Sequence, residues 1–540
     1  MKIMNRINLC VVLAVSILAS AEAKPRPNVV LIVCDDLNDY ITGIPGQTGH
    51  SQSLTPNVEK LARSGVAFRR AYSNNPVCAP SRSSFLTGIY PHTSGNLFWS
   101  KWYENDVLKN SNTLMEHFRN NGYHVAGTGK LMHHHWPESW SGGEYKNKTD
   151  YGPYWFNGEK RWSHPSVPEP FAGIGPIDGS FAPLGPKPDG VPENAGWKYG
   201  WGKEQPLDFS DSESRALTPD ELNAAWAVKK IGEFGRQKGS DPFFLAVGFV
   251  RPHTPLHVPQ EYFDRFPMDE INLPEIKEND AADTHYKDIF DPEQKGLRYY
   301  RTLLESYDGD KEQALKKFTQ AYLACVAAVD DCIGQVVGAI DNSPLKDNTI
   351  IVVTSDHGWQ MGQKEYLFKN SPWEESLRIP FIVRAPGIAK PGGIAEHPIS
   401  LIDLYPTLVD LCGLEGDTSK NNRGAKLDGY SVRSFLEDPV SGKWEGPEGA
   451  LSMIYGELNN SIPAGKDDDL ESQVWTYRTE RWRYIRYNDG VEELYDHEND
   501  PREWHNLAGN PEYASVKKKL NAFMPSQEEP GTRTKEAAGK

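Results

Sequence analysis

Asn28-Val29-Val30-Leu31-Ile32-Val33-Cys34-Asp35-Asp36 is the stretch whose reading decides the fold. An unbroken apolar run of strand length, without polar alternation, marks a strand buried on both faces, as in a parallel sheet covered by helices. It ends abruptly in two carboxylates. A solvated turn would account for them, since Asp is a common turn former. The carboxyl end of a buried strand is also where open α/β sheets place their ligands.

Three further stretches repeat the pattern. Tyr123-His124-Val125-Ala126 closes in Gly127-Thr128-Gly129 and delivers Lys130 and then His133. Phe243-Phe244-Leu245-Ala246-Val247-Gly248-Phe249-Val250 ends in Arg251-Pro252-His253. Thr349-Ile350-Ile351-Val352-Val353-Thr354-Ser355 ends in Asp356-His357-Gly358, with Lys369 in the loop beyond. Helical patterns over 113–119, 218–234, 317–340 and 401–411 separate or follow these strands, and a further strand is expected over 378–385. Parallel strands joined by helical crossovers put their carboxyl ends on one edge. Three carboxylates gathered there repel unless protonated or bound to a metal. Oxygen-rich ligation with little sulfur favours Ca²⁺, or less readily Mg²⁺, over zinc. His134 and His135 follow His133, but adjacent side chains on an extended segment point opposite ways, so His133 alone is assigned to the site.

Between 136 and 216 the chain is dense in Gly, Pro, Trp and Tyr and shows no period. The aromatic residues argue against disorder, and a long ordered loop of this kind is usually functional. We expect an insertion over the sheet whose rings stack on sugars. Beyond 429 short alternating runs with an Asn488-Asp489-Gly490 turn read as antiparallel strands, and 514–523 as a helix. The fold class expected is α/β: a large central, mostly parallel sheet sandwiched by helices, with a smaller C-terminal α+β subdomain on a short antiparallel sheet. The expected organisation is a signal peptide (1–23), a catalytic domain (24–428) carrying the insertion (136–216), the C-terminal subdomain (429–526) and a disordered tail (527–540).

The chain has 540 residues and a formal charge of −16, which argues against nucleic acid or an anionic membrane as partner. An anionic substrate then needs a local basic pocket. Lys2 and Arg6, an apolar run over 7–19 and Ala21-Glu22-Ala23 read as a secretory leader, so export to a periplasm or the exterior (a lysosome in an animal) is expected. The apolar run is short for a membrane span. After the leader five cysteines remain, an odd number that flags one thiol with another fate. Cys325 and Cys332, about 10 Å apart along a helix, cannot bridge each other.

Cys78-Ala79-Pro80-Ser81-Arg82, followed by Leu86-Thr87-Gly88, supplies that thiol. Pro80 fits a first helical position, so Cys78 is expected at a helix start, beside free N–H groups and Arg82, where a thiol pKa falls. A small buried hydrophobe is the alternative for a lone cysteine. The C-x-P-S-R signature and L-T-G, with the paired Asp and the Ser-Asp-His-Gly, resemble type I sulfatases of the alkaline phosphatase superfamily, in the iduronate-2-sulfatase-like branch. The resemblance spans the chain beyond the leader.

The resemblance implies that Cys78 is oxidised to formylglycine by a formylglycine-generating or anaerobic sulfatase-maturing enzyme. It implies Ca²⁺ held by Asp35, Asp36, Asp356, His357 and residue 78. Arg82 stabilises the hydrated aldehyde, Lys130 and Lys369 bind sulfate, His133 helps activate or regenerate the aldehyde, and His253 protonates the leaving sugar oxygen. Arg251 stands where the branch has Lys. The implied activity is removal of sulfate from a sulfated oligo- or polysaccharide, exo-acting, with a 2-O-sulfated uronic acid or pentose as first candidate. A phosphoric or phosphonic ester hydrolase on the same fold is the near alternative, though it usually uses Ser or Thr with two zinc ions. A non-catalytic carbohydrate-binding relic is the distant one.

Overall fold

A computed structural model describes residues 25–525 apart from 46–48, 147–148, 200–204, 238–240, 290–293 and 457–469. The expected leader and tail lie outside the described residues.

The central sheet has seven strands: β1 (Asn28–Asp35), β2 (Val66–Phe68), β3 (His124–Gly129), β4 (Phe243–Pro252), β5 (Thr349–Ser355), β6 (Phe381–Arg384) and β7 (Gly393–Ala395). Their order is β7-β2-β6-β5-β1-β4-β3. β1 lies parallel to both β4 and β5, and β4 parallel to β3; β6 alone runs against its neighbours. Side chains alternate across the sheet. Val30 and Ile32 face one apolar layer, and Val29, Leu31 and Val33 the other. Both layers are sealed, which is why β1 carries no polar alternation.

One layer is roofed by α2 (Pro219–Arg236) and α3 (Lys311–Asp341), the other by α1 (Cys78–Thr87) and α4 (Leu404–Cys412). α3 is long and apolar enough to cross a membrane, but its apolar residues, Phe318 to Ile340, are packed into the core. It starts earlier than the apolar periodicity predicts. The Asp310 side chain caps it by accepting from the Gln313 N–H, and its first turn is polar and solvent-facing. The single strand expected over 378–385 is two. Pro380, which lacks an N–H, separates Arg378–Ile379, paired with Ala71–Tyr72 in a small second sheet, from β6.

The insertion is ordered where it is described. Tyr154–Phe156, Arg161–Trp162, Gly196–Tyr199 and Gln205–Pro206 form a four-stranded sheet packed around Trp155 and Trp197. C-terminally, β8 (Gly449–Ile454), β9 (Val474–Thr479), β10 (Trp482–Arg486) and β11 (Glu492–Asp496) form an antiparallel sheet against the helix Ala514–Asn521. β8 is not marked in its sequence, because Gly449-Ala450-Leu451-Ser452-Met453-Ile454 opens on small residues and has a single β-branched one.

Buried ion pairs join this sheet to the loop after β5. Glu374 accepts from Tyr72 Oη at 2.9 Å and from Arg478 Nε at 3.3 Å, and Arg483 bridges Glu374 and Glu503. His497 lies 2.8 Å from Glu503. The two carboxylates are saturated by arginines, so this cluster does not call for a metal. Its neighbour Glu375 is less well matched: burial first, then Glu503, outweighs Arg502 and pushes its carboxyl from an ordinary 4.5 up to about 8. The native state therefore keeps a proton that the unfolded chain releases at about pH 4.5, and stability falls as pH rises from there to about 8. Glu375→Gln is expected to raise the melting temperature relative to wild type by an amount that grows across this window and levels off above it. Thermal melts across that range check this; a pH-independent difference would show that Glu375 is ionised in the fold.

Candidate active site

Successive side chains of a strand point to opposite faces. Asp35 and Asp36 nevertheless serve one centre, because Asp36 takes the left-handed conformation at φ 63°, where its N–H donates to Asp356 Oδ1 at 3.2 Å. Such a backbone in a non-glycine residue is costly and is held by its surroundings. On the far side of β4, Gly129 at φ 80° turns β3 so that Lys130 enters the same centre. A Cβ at Gly129 would lie 1.9 Å from the Gly248 carbonyl oxygen, so no other residue fits. Asp356 and His357 leave the end of β5, and His253 the end of β4.

These groups form one buried cluster. Arg82 Nε donates to Asp356 Oδ2 and Nη2 to Asp35 Oδ1, each at 2.9 Å, and Nη1 to the carbonyls of Lys130 and Leu131. Arg82 thus ties β1, β3 and β5 together and spends its donors on them, whereas the resemblance gives it a role at the aldehyde. Lys130 Nζ pairs with Asp35. Lys369 Nζ lies 2.8 and 3.0 Å from the Asp36 carboxylate oxygens. Burial alone would raise both Asp carboxyls. At Asp35 Lys130, then His253 and Arg82, reverses the effect and holds the carboxyl well below the usual range, while at Asp36 burial prevails and raises it. Lys130 and Lys369, facing carboxylates, are held protonated against their own burial.

The donor set fits a hard cation. Ligand atoms of Asp35, Cys78, Asp356 and His357 lie within 4.8 Å of one another, as do those of Asp35, Asp36, Cys78 and His253. His357 supplies an independent argument. Its Nδ1 lies 3.0 Å from the Gly358 carbonyl, which can only accept, so Nδ1 carries the proton. Nε2 then directs a lone pair at Asp36 Oδ1 (3.4 Å) and Asp356 Oδ2 (3.6 Å). The same lone pair lies 3.3 Å from Cys78 Sγ, whose thiol proton it can accept; a cation shared with the two carboxylates would use it instead.

Cys78 is the first residue of α1 and Pro80 its third, not its first. The Cys78 Sγ lies 3.0 Å from Lys369 Nζ, 3.3 Å from His357 Nε2 and 3.9 Å from Asp36 Oδ1. The expected depression of its pKa is overturned. Burial, followed by Asp35, raises the thiol above its ordinary value, and Lys130 and Lys369 offset this only in part. An unmodified thiol here is protonated at neutral pH and a poor nucleophile.

His253 Nδ1 lies 2.6 Å from the Thr254 carbonyl, which leaves Nε2 facing Asp36 Oδ2 at 3.7 Å. His133 lies at the margin. Its ring packs on Trp99 with centroids 4.6 Å apart, and burial, then Lys130, lowers its pKa to about 2, so it is a neutral base. His134 packs against His133, and His135 against Tyr145. The structure therefore gathers Asp35, Asp36, Cys78, Arg82, Lys130, His253, Asp356, His357 and Lys369, with His133 behind Lys130. Missed from the sequence were Tyr151, whose ring covers Lys130 and His253, and Trp99. The insertion's aromatic density was the available signal for Tyr151, but without periodicity it could not single out one ring. Trp99 carried no signal.

A buried cysteine at a helix start, facing clustered carboxylates at the edge of a mostly parallel sheet, is the arrangement of a hydrolase of the alkaline phosphatase superfamily. The Sulfatase family profile matches residues 27–414, and that of the N-sulphoglucosamine sulphohydrolase C-terminal region matches 362–529. The chain belongs to the sulfatase family. It is 31% identical to a sulfatase of Formosa agariphila over 93% of this chain and 86% of that one. It is 28% identical to human iduronate 2-sulfatase, over 72% and 69%. The phosphonate monoester hydrolase of Silicibacter pomeroyi shares the fold with a TM-score of 0.67, 21% identity, and 92% and 94% of the two chains covered.

Proposed function

We propose that this sulfatase is an exported enzyme that removes sulfate from sulfated oligo- or polysaccharide chains, with residue 78 working as formylglycine and Ca²⁺ at the carboxylate cluster. The observation that carries the reading is the place of Cys78 Sγ, between Lys369 Nζ at 3.0 Å and His357 Nε2 at 3.3 Å. A side chain there that bears hydroxyls instead of a protonated thiol has a cation and carboxylates around it. The iduronate relative and the aromatic insertion support a uronic acid, or a pentose, bearing the sulfate at position 2. The leader residues support export, and the C-x-P-S-R stretch supports a maturing enzyme as partner.

Asp35, Asp36, Asp356 and His357 would hold the cation, which when bound supplies Lewis-acid polarisation of a sulfate oxygen. Formylglycine supplies, as its hydrate, a hydroxyl nucleophile and a second hydroxyl for release of sulfate. Lys130 and Lys369 offset charge on the sulfate oxygens, an electrostatic contribution strengthened by burial. Arg82 holds Asp35 and Asp356 in register. His253, with its Nδ1 proton committed to Thr254, has a proton to give at Nε2 only as the imidazolium, which burial and then Lys369 disfavour; that cation, formed beside Asp35 and Asp36, would protonate the departing sugar oxygen, a poor leaving group without it. His133, kept neutral by burial, can orient the second hydroxyl by accepting its hydrogen bond, but a pKa of about 2 makes it too weak a base to take the proton outright.

Assay of inorganic sulfate from a panel of sulfated oligosaccharides, beside inorganic phosphate from phosphate and phosphonate monoesters, tests the reading. Sulfate release is expected; phosphate release alone would favour the phosphonate-type alternative, and neither would favour a relic. Within the sulfatase reading, His253→Ala is expected to lower kcat on a sugar sulfate by about 10²–10⁴-fold, the usual range for a general acid. The loss on 4-nitrophenyl sulfate, whose leaving group needs no proton, is expected to be much smaller. Equal losses would remove His253 from the acid role.

A further inference from the structure

Arg251 closes β4 and is 5% exposed. Its guanidinium donates to four main-chain carbonyls: Nε to His257 (3.1 Å), Nη1 to His253 (3.1 Å), and Nη2 to Tyr151 (3.1 Å) and Gly152 (2.9 Å). One rigid fork thus joins the His253 turn, the strand Leu256–Pro259 and the Tyr151-Gly152 segment of the insertion. A lysine ammonium, a compact charge on a flexible stem, does not reproduce this planar fan.

What the fork holds in place is Tyr151. Its ring centroid is 4.8 Å from Lys130 Nζ and 4.8 Å from the His253 ring. It is only half-buried, so part of it faces outward from the cluster. Burial keeps the phenol above its ordinary pKa despite Lys130, so at neutral pH it is an uncharged O–H donor. The proposed reaction uses both groups that Tyr151 touches and gives Tyr151 itself no task. Its hydroxyl is hydrogen-bonded to Lys130, the anion-binding lysine, and its ring packs on His253, so a group bound by both residues would come up against Tyr151.

We propose that Tyr151 is a further substrate-contacting residue, donating a hydrogen bond from its hydroxyl to the sulfate group while its ring keeps the His253 imidazole in place, and that Arg251 is the positioning residue that holds Tyr151 there. The proposal rests on the sulfatase reading. It accounts for a buried guanidinium that makes four main-chain hydrogen bonds beside the site, and it makes Tyr151, within the insertion, part of the sulfate pocket as well as of any sugar-binding wall.

The experiment compares wild type, Tyr151→Phe, Arg251→Lys and the double variant, each with formylglycine occupancy determined by mass spectrometry. A sulfated oligosaccharide that the wild type desulfates is the substrate, and inorganic sulfate is the competitive probe. Tyr151→Phe keeps the ring and is expected to leave the melting temperature unchanged. It is expected to lower kcat/KM about tenfold and to raise the inhibition constant of inorganic sulfate in similar proportion, as loss of one hydrogen bond to a charged group does. Arg251→Lys is expected to lose about tenfold, and the double variant little more than either, because both changes remove the same contact. Wild-type kcat/KM and sulfate inhibition in Tyr151→Phe would overturn the contact, whether or not Arg251→Lys folds. Multiplicative losses in the double variant would overturn the positioning role. Failure of the sulfatase reading is distinct: wild type itself would release no sulfate from any sulfated sugar, and this proposal would fall with it.

Discussion

Cys78→Ala is expected to fold and to release no sulfate above background, a loss of about 10⁴-fold or more, the scale on which removal of a nucleophile acts. Folding should survive because one Sγ is lost from a site walled by Lys369, His357 and Asp36. The apolar packing of α1 rests on Phe85 and Leu86, which are untouched. Cys78→Ser is the sharper variant. It returns a hydroxyl to the same place but cannot form a geminal diol, so it is expected to be as inactive as Cys78→Ala over many turnovers. A single burst of sugar release, with sulfate retained on the enzyme, would be consistent with attack by the serine and no second hydroxyl to complete the cycle. Sulfate assay with mass spectrometry of the residue-78 peptide checks both. Full turnover by Cys78→Ala would remove residue 78 from the chemistry.

The second large effect concerns the cation. Dialysis against a chelator is expected to reduce activity to a few per cent or less and to lower the melting temperature, and Ca²⁺ is expected to restore both. A ligand bound at about 100 times its dissociation constant stabilises by about 2.7 kcal/mol. The loss of activity should exceed what that stability change accounts for, since Lys130 and Lys369 face the carboxylates of Asp35 and Asp36, and only a cation there would leave both ammonium groups for the sulfate. Asp36→Asn is expected to cost about 10³-fold or more in kcat, through the ligand it removes and the Lys369 pairing it weakens. Recovery of full activity with zinc and not with Ca²⁺ would argue against the oxygen-rich reading of the site.

The two predictions draw on different levels of the molecule. Residue 78 was legible in the sequence because its signature is local: five consecutive residues beside a helix start. The carboxylates were legible for a different reason. Buried strands need continuous apolar runs, so the polar residues that end β1 and β5 stand out, and parallel pairing forces those ends onto one edge. That argument found Asp35, Asp356 and His357 without any contact being known. The insertion resisted it. Its aromatics have no period, and the ring that reaches the site, Tyr151, differs from the others only in being held by Arg251 from a segment about 100 residues away.

What the sequence determined by itself was therefore the layer architecture, the edge on which the polar side chains gather and the identity of most of them, because periodicity and strand length are properties of consecutive residues. Tertiary structure decided the rest. It turned Asp36 into the left-handed conformation, so that two adjacent carboxylates share one centre. It spent Arg82 on Asp35 and Asp356 and raised the Cys78 thiol pKa where a helix start alone predicted a lowered one. Each outcome depends on burial and on charges brought together from distant parts of the chain. Desolvation and Coulomb energies depend on distance in space, and spacing along the chain does not carry that information.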